Sequence, residues 1–314
     1  MRAIQIIDGQ PQLVHQRLGE ADADSVRIKV AASSICGSDL HLIARGWAEG
    51  RVLGHEFAGH TPDGTAVAVE PLYGCGDCTY CRDGYLAHCE QGATLLGVSA
   101  AGGMAEYVQA PASTLVPLPS GLAVTDACLV EPLAVAVHGI HRARVQNTDR
   151  VLVVGAGAIG LAAAAVLQGR GLRFDMAARH PRQQESAQFF GARLEAGDGY
   201  DVVLDAVGSE DSLAQAMRSV RPQGRIGVLG SFWQPVSLDI SCCMKEVELL
   251  PSMTYKCRPP QRSFDEAATL LAGNPAFAGH LITHRFPLEG AAEAFATAAD
   301  RASGAIKVSF SPQG

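Results

Sequence analysis

The stretch Val151 to Gly171, VLVVGAGAIGLAAAAVLQGRG, leaves this 314-residue chain few folds to choose from. Its first four residues are apolar and β-branched or leucine and read as a buried strand. Glycines at 155, 157 and 160 then make a turn, and an alanine-rich run reads as a helix. In this context each glycine has its own task. The first permits the tight turn, the second lets a pyrophosphate approach the backbone, and the third lets helix and strand close up, while the helix N-terminus offers N–H groups and dipole to the phosphates. The expected dinucleotide contacts are Gly155, Gly157, Ala158, Ile159 and Gly160.

The rhythm around this turn supports a doubly wound parallel sheet. LRFDMAAR reads as strand, RQQESAQFFGA as helix, DVVLDAVG as strand, EDSLAQAMRSVRPQG as helix and RIGVLG as strand. Before about residue 120 the pattern differs: AIQII, SVRIKVAA, TAVAVEP, AEYVQAP and STLVPLP are short segments punctuated by Gly and Pro, as in an irregular, mostly antiparallel β domain. The tail holds two helices, SFDEAATLLAG and EGAAEAFATAAD, and a last strand, AIKVSF. The expected class is therefore α/β in two parts: residues 1–132 with 252–314 as one domain, and residues 133–251 as the dinucleotide-binding domain.

The second strand of the dinucleotide unit bears on the coenzyme. A carboxylate at its C-terminal end would bond a ribose 2′-hydroxyl, whereas arginine there favours a 2′-phosphate. Asp175, twenty residues after Gly155, falls within the strand; beyond its end stand Arg179, His180, Pro181 and Arg182. Arg179 and Arg182 without an acid favour NADP over NAD.

A net charge of −7 from scattered residues rather than runs disfavours nucleic acid and anionic membrane as partners. The N-terminus lacks the apolar core and cleavage site of a signal peptide, and no apolar run approaches the roughly 18 residues of a membrane span. A cytoplasmic protein with a small-molecule partner is expected. Nine cysteines, an odd number, in a reducing compartment argue against a disulfide framework. Four of them, Cys75, Cys78, Cys81 and Cys89, crowd into GCGDCTYCRDGYLAHCE. Their spacing suits a closed all-sulfur tetrahedral site, the form of a structural zinc, with no position left for substrate. Cys128, Cys242, Cys243 and Cys257 lack ligand spacing and read as packing residues, with Cys243 or Cys257 near a subunit contact as a lesser alternative.

A quieter group is spread along the chain: SSICGSDLH (33–41), GHE (54–56) and EPLAVAVHG (131–139). Each acid, cysteine or histidine in it has an ordinary structural reading. Together with the cysteine lobe, GGMAEYVQAP, VLVVGAGAIGL and ITHRFPLEGAAEAF, they follow one order over nearly the whole length. By these motifs the chain resembles the zinc-dependent medium-chain dehydrogenase/reductase (alcohol dehydrogenase) family, and within it the polyol, sorbitol-like branch.

The resemblance implies a GroES-like catalytic domain beside a Rossmann coenzyme domain, and two zinc ions per chain. One would be structural in the cysteine lobe. The other would be catalytic, held by Cys36, His55 and an acid, with Glu56 and Glu131 both candidates. By the same matching Ser38 bonds the substrate oxygen, His41 passes its proton outward, and Asp39 orients His55. The implied reaction is hydride transfer between nicotinamide and a secondary alcohol or its ketone, and the implied assembly is a homodimer or homotetramer paired through the edge strand, here within VELLPSMTY. Two other classes are weighed: a zinc-free quinone or enoyl reductase of this fold, which would lack Cys36, His55 and Glu131, and a non-enzymatic zinc module, which would not need the dinucleotide turn.

Two departures from the family pattern stand out. EFAGHTPDGTAVAVEP is about ten residues short, and the loop from His41 to Gly54 is brief. Both imply a reshaped substrate mouth, with Trp47 either lining it or capping the core.

Overall fold

A computed structural model of the chain describes residues 1–19, 24–300 and 302–313, and divides it into two compact units, Met1–Glu131 with Lys256–Gly314, and Pro132–Tyr255.

In the first unit, among the described residues, a mostly antiparallel sheet is built on the long strand Ser25–Ser34. That strand pairs antiparallel with Glu56–His60, Tyr107–Pro111 and the C-terminal strand Lys307–Phe310. Ala66–Val69 and Leu115–Pro117 extend the sheet on one side, and Ile282–Phe286 joins the C-terminal strand in parallel on the other. Alternation explains the register: Ile28 and Val30 point into a core with Phe57, Val67, Val69 and Val108, while Arg27 and Lys29, which alternate with them, stay exposed. A second core joins Ile4, Ile6 and Met104 to Phe295 and Phe310 from the tail. Its large side chains each contribute about 1.5–3 kcal/mol of burial.

The segment short of residues forms a tight hairpin. His60 pairs with Ala66, and the turn between them closes through Thr61 N–H to the Thr65 carbonyl at 3.0 Å, with Asp63 accepting from the Thr65 N–H. The 41–54 segment is the end of helix Gly37–Ala44 followed by turns. Trp47 there is 59 % exposed, with the Arg45 guanidinium 5.5 Å over its ring, which corrects the core-cap alternative.

In the second unit, strands Val151–Val154, Phe174–Ala177, Tyr200–Asp205, Val220–Val228 and Glu248–Pro251 form a parallel sheet with the second strand at one edge and the fifth at the other. The first strand lies between the second and third, so the strand order reverses beside it, the position at which open α/β sheets bind ligands. The helix after Ser209, Glu210–Ser219, is shorter than the expected EDSLAQAMRSVRPQG: the strand begins at Val220 and includes Arg221, Pro222 and Gln223. Pro222 has no N–H to continue a helix, and the pairing with Tyr200–Asp205 shifts register between Tyr200 and Val202 to take up the extra residues. No helix among the described residues is long and apolar enough to cross a membrane.

Candidate active site and metal centres

The CGSD motif in SSICGSDLH is a helix start. Cys36 is the cap of helix Gly37–Ala44, and Asp39, three residues on, reaches back to accept the Cys36 N–H at 2.9 Å. That bond fixes Asp39, fully buried, with its second oxygen 3.4 Å from His55 Nδ1. On the ring's other side His55 Nε2 lies 3.3 Å from the Ser38 hydroxyl. The ring is thus turned with Nδ1 facing a carboxylate oxygen and Nε2 facing the Ser38 hydroxyl, the orientation of a metal-ligating histidine backed by a carboxylate. Burial opposes protonation of His55, but Asp39 and Cys36 outweigh it and hold its pKa well above the ordinary value in the metal-free protein.

Glu56 follows His55 at the start of strand Glu56–His60 and is fully buried. Its Oε1 accepts from Lys307 at 2.7 Å, and its Oε2 accepts from the Ser34 hydroxyl. Burial opposes its charge, yet Lys307 and His55 prevail and hold the carboxyl below its usual range. Donor atoms of Cys36, His55 and Glu56 all lie within 4.8 Å of one another. A sulfur, an imidazole nitrogen and a carboxylate oxygen brought together at this separation fit a catalytic zinc, which takes three protein ligands and keeps one open position.

Glu131 stands in the first turn of helix Val130–Arg142 and is buried. It is not part of that trio but is electrostatically in touch with it: burial pushes its carboxyl up to about 8, with His55 opposing and Glu56 reinforcing the rise. Arg285 holds the turn before it, donating to the Thr125 carbonyl at 2.9 Å and pairing with Asp126. His41 lies on the exposed side of the same helix that carries Ser38 and Asp39.

The four lobe cysteines are free thiols whose sulfurs also lie within 4.8 Å of one another. Backbone N–H groups point at the sulfurs: Cys75 N to Cys89 Sγ at 3.3 Å, Cys78 N to Cys75 Sγ at 3.4 Å and Cys81 N to Cys78 Sγ at 3.4 Å. N–H donation from Glu90 and Cys81 brings the Cys78 thiol down to about 7, while burial takes Cys81 up to about 12. Four sulfurs with N–H support fit a closed zinc site. The lobe also holds the returning chain, since Cys257 N–H donates to the Gly84 carbonyl at 2.9 Å and Lys256 lies 5.4 Å over the Tyr85 ring.

In the second unit the turn glycines divide as the sequence suggests. Gly155 has φ +92°, and a Cβ at Gly160 would sit 1.8 Å from the Gly155 carbonyl oxygen, so helix and strand meet there without room for a side chain. A Cβ at Gly157 would meet nothing within 4 Å, which leaves the helix start open to a phosphate. Ala158 and Ile159 open helix Ala158–Gly169 behind it. Asp205 ends the third strand and accepts from Val207 and Gly208 N–H at 3.0 and 3.1 Å, which fixes Val207 beside Gly155.

Asp175 is occupied within the sheet. It pairs in register with Leu152 and accepts from Tyr200 Oη at 2.6 Å and Arg193 Nε at 2.7 Å. Arg179 is exposed two residues past the strand's end, while Arg182 is engaged by Glu185 at 2.8 Å. Replacing Asp175 by Asn is therefore expected to lower stability by about 1–3 kcal/mol through the Tyr200 and Arg193 bonds, and to leave the ratio of kcat/KM for the two coenzymes unchanged. Denaturant unfolding and paired kinetics check this.

Sequence reading missed two members of the site, Lys307 and Ser34. The signal for Lys307 was a lysine within the apolar run AIKVSF; for Ser34 it was a hydroxyl in an apolar strand, and neither has a motif. Cys243 is exposed and Cys257 buried, the latter against the lobe segment.

Fold and site together define an oxidoreductase-like chain with metal-donor clusters in one unit and a dinucleotide turn in the other. Comparison makes the class specific. Residues 22–120 match the alcohol dehydrogenase GroES-like domain family and residues 192–273 the zinc-binding dehydrogenase family. L-galactonate-5-dehydrogenase of Escherichia coli K12 is 30 % identical over 298 residues, covering 85 % of this chain and 86 % of that one. The crystal structure of galactitol-1-phosphate dehydrogenase from Escherichia coli superposes with a TM-score of 0.89 at 26 % identity, covering 99 % of this chain and 100 % of that one. A short chain alcohol dehydrogenase from Escherichia coli CFT073, complexed with NADH, gives 0.88 at 28 % identity and 99 % of both chains. The chain belongs to the zinc-dependent alcohol dehydrogenase family of medium-chain dehydrogenases/reductases.

Proposed function

We propose that this protein is a zinc-dependent, NAD(P)-linked dehydrogenase that interconverts a secondary alcohol of polyol, sugar-alcohol or cyclitol type and its ketone. The observation that carries the reading is the convergence of Cys36, His55 and Glu56 donor atoms within 4.8 Å, with Ser38 against the same histidine. The relatives named above, dehydrogenases of L-galactonate and galactitol 1-phosphate, support a polyhydroxylated substrate.

In this reading residues 1–132 and 252–314 are the catalytic domain, and residues 133–251 bind the coenzyme. Cys36 and His55 hold the catalytic zinc with Glu56 or Glu131, and Cys75, Cys78, Cys81 and Cys89 hold a structural one, two per chain. When bound, the catalytic ion supplies Lewis acidity to the substrate oxygen. The chain's own residues do the rest. Asp39 keeps His55 in one tautomer and orientation. The Ser38 hydroxyl bonds the substrate oxygen and relays its proton by releasing its own as it accepts, and His41, on the exposed side of the same helix, passes the released proton to solvent. Gly157 and the helix start after it would seat the pyrophosphate of a coenzyme that would supply the hydride acceptor or donor.

NADP is favoured over NAD because Asp175 is spent on Tyr200 and Arg193, and the exposed Arg179 is left at the strand's end. A cytoplasmic homodimer or homotetramer, paired through the edge strand Glu248–Pro251, completes the proposal.

A coenzyme-coupled absorbance screen over secondary polyols and their ketones, run with both coenzymes, tests it. Turnover of at least one such pair is expected, with the higher kcat/KM on NADP, and Arg179→Ala is expected to lower the NADP value about tenfold while sparing NAD. Absence of turnover across the zinc-loaded screen would count against the dehydrogenase reading; a preference for NAD would overturn the coenzyme assignment alone.

A further inference from the structure

Lys307 is a buried cation in an apolar strand. It is 2 % exposed, on the C-terminal strand Lys307–Phe310, and its ammonium donates to Glu56 Oε1 at 2.7 Å and to the Ile35 carbonyl at 3.2 Å. Ser34, which accounts for the other Glu56 oxygen, comes from the neighbouring strand, where it lies opposite Ser309. The C-terminal strand therefore delivers a fixed positive charge to Glu56, 251 residues away in sequence, among other buried acidic groups. Asp39 and Glu56 are fully buried there, Glu131 nearly so, and Cys36 is half-buried.

A buried carboxylate without a counter-charge costs several kcal/mol. Besides His55, which also favours its charge, Glu56 has two sources of compensation: the ammonium that the chain always carries, and the divalent ion that the donor trio suits. We propose that Lys307 is a positioning residue that stands in for the metal's charge. It holds Glu56 in ligating position when the metal is absent, and by remaining beside the ligand it weakens the affinity of the Cys36, His55 and Glu56 site for zinc. This rests on the reading of that trio as a zinc site.

The sign follows from linkage. Removing the ammonium leaves Glu56 with only His55 for compensation in the metal-free protein, but with the ion beside it in the zinc-bound protein. The metal-free form is destabilised more, and the thermodynamic cycle returns the difference as tighter zinc binding. Lysine at this position trades affinity for a preformed, exchangeable site.

The test uses the full chain as wild type, Lys307→Met and Lys307→Arg. Zinc affinity is read by competition with a chromogenic chelator, and melting temperatures are taken for zinc-free and zinc-loaded protein. Cys36→Ser identifies which bound equivalent belongs to this site. Lys307→Met is expected to bind that equivalent about 5- to 150-fold more tightly, with a larger drop in melting temperature for the zinc-free form than for the loaded one. Lys307→Arg is expected to return both to wild type. A Lys307→Met chain that folds only with zinc is the same result in its limit; one that folds with neither is replaced by Lys307→Gln, which keeps a donor without the charge and carries the same expectation. Unchanged or weaker affinity, with both forms losing melting temperature equally, would overturn the role of Lys307 alone. A wild-type chain that takes up zinc only at the cysteine lobe would overturn the site reading itself.

Discussion

Substituting Cys36 by Ser is expected to lower kcat/KM by about 10³-fold or more, roughly 4 kcal/mol of barrier, and to leave one zinc per chain in place of two. A serine hydroxyl is neutral at working pH and a poor ligand for zinc, so the trio within 4.8 Å becomes a pair. The helix need not suffer, because serine is a favoured cap and the Asp39 bond goes to the backbone N–H of residue 36. The four lobe sulfurs form a separate donor group and keep their ion. Metal analysis beside steady-state kinetics separates this result from unfolding, which would empty both sites. Full turnover in the variant would place the chemistry elsewhere.

Gly157→Val and Gly160→Ala are expected to fail in opposite ways. Gly157 has φ −77° and ψ −169°, extended backbone that valine adopts readily, and a Cβ there meets no protein atom within 4 Å. The variant should fold with stability within about 1 kcal/mol of wild type, the cost of a poorer cap. It should nevertheless bind NADPH about 100-fold more weakly, near 2.7 kcal/mol, because the side chain fills the approach reserved for phosphate. At Gly160 the new methyl would stand 1.8 Å from the Gly155 carbonyl oxygen, so helix and strand must separate. That variant should lose about 3 kcal/mol of stability through overpacking. Coenzyme titration by fluorescence, with denaturant unfolding of the same samples, reads both quantities. Equal stability losses in the two variants would deny the turn its role as a ligand cradle.

What the sequence made legible is what physical chemistry confines to short spans. The strand, glycine turn and helix from Val151 to Gly169 are local, as are the lobe cysteines, and each was read from spacing, whereas the helix start at Cys36 to Asp39, though local, was not. Asp175 was legible as lying within its strand by counting, but not the reason it is buried: Tyr200 and Arg193 reach it from 25 and 18 residues away. Lys307 was not legible as part of the site at all. Only the pairing of the C-terminal strand with Ser25–Ser34 brings it to Glu56, and no periodicity encodes that partner. The misplaced boundary at Ser219 and Val220 has another cause, a strand beginning with polar residues and a proline that local pattern assigns to the helix before it. Trp47 shows the same limit from the other side, since an aromatic in a glycine-flanked loop carries no mark of which way it faces.

In the proposed mechanism the catalytic centre is the Cys36, His55 and acid site, and its chemistry needs zinc. Stepwise return of zinc to chelator-treated protein, with turnover of a secondary polyol measured at each addition, tests it most directly. Two zinc per chain are expected at saturation, with turnover absent after chelation and appearing with the equivalent that Cys36→Ser cannot bind. Turnover that survives complete removal of zinc would contradict it.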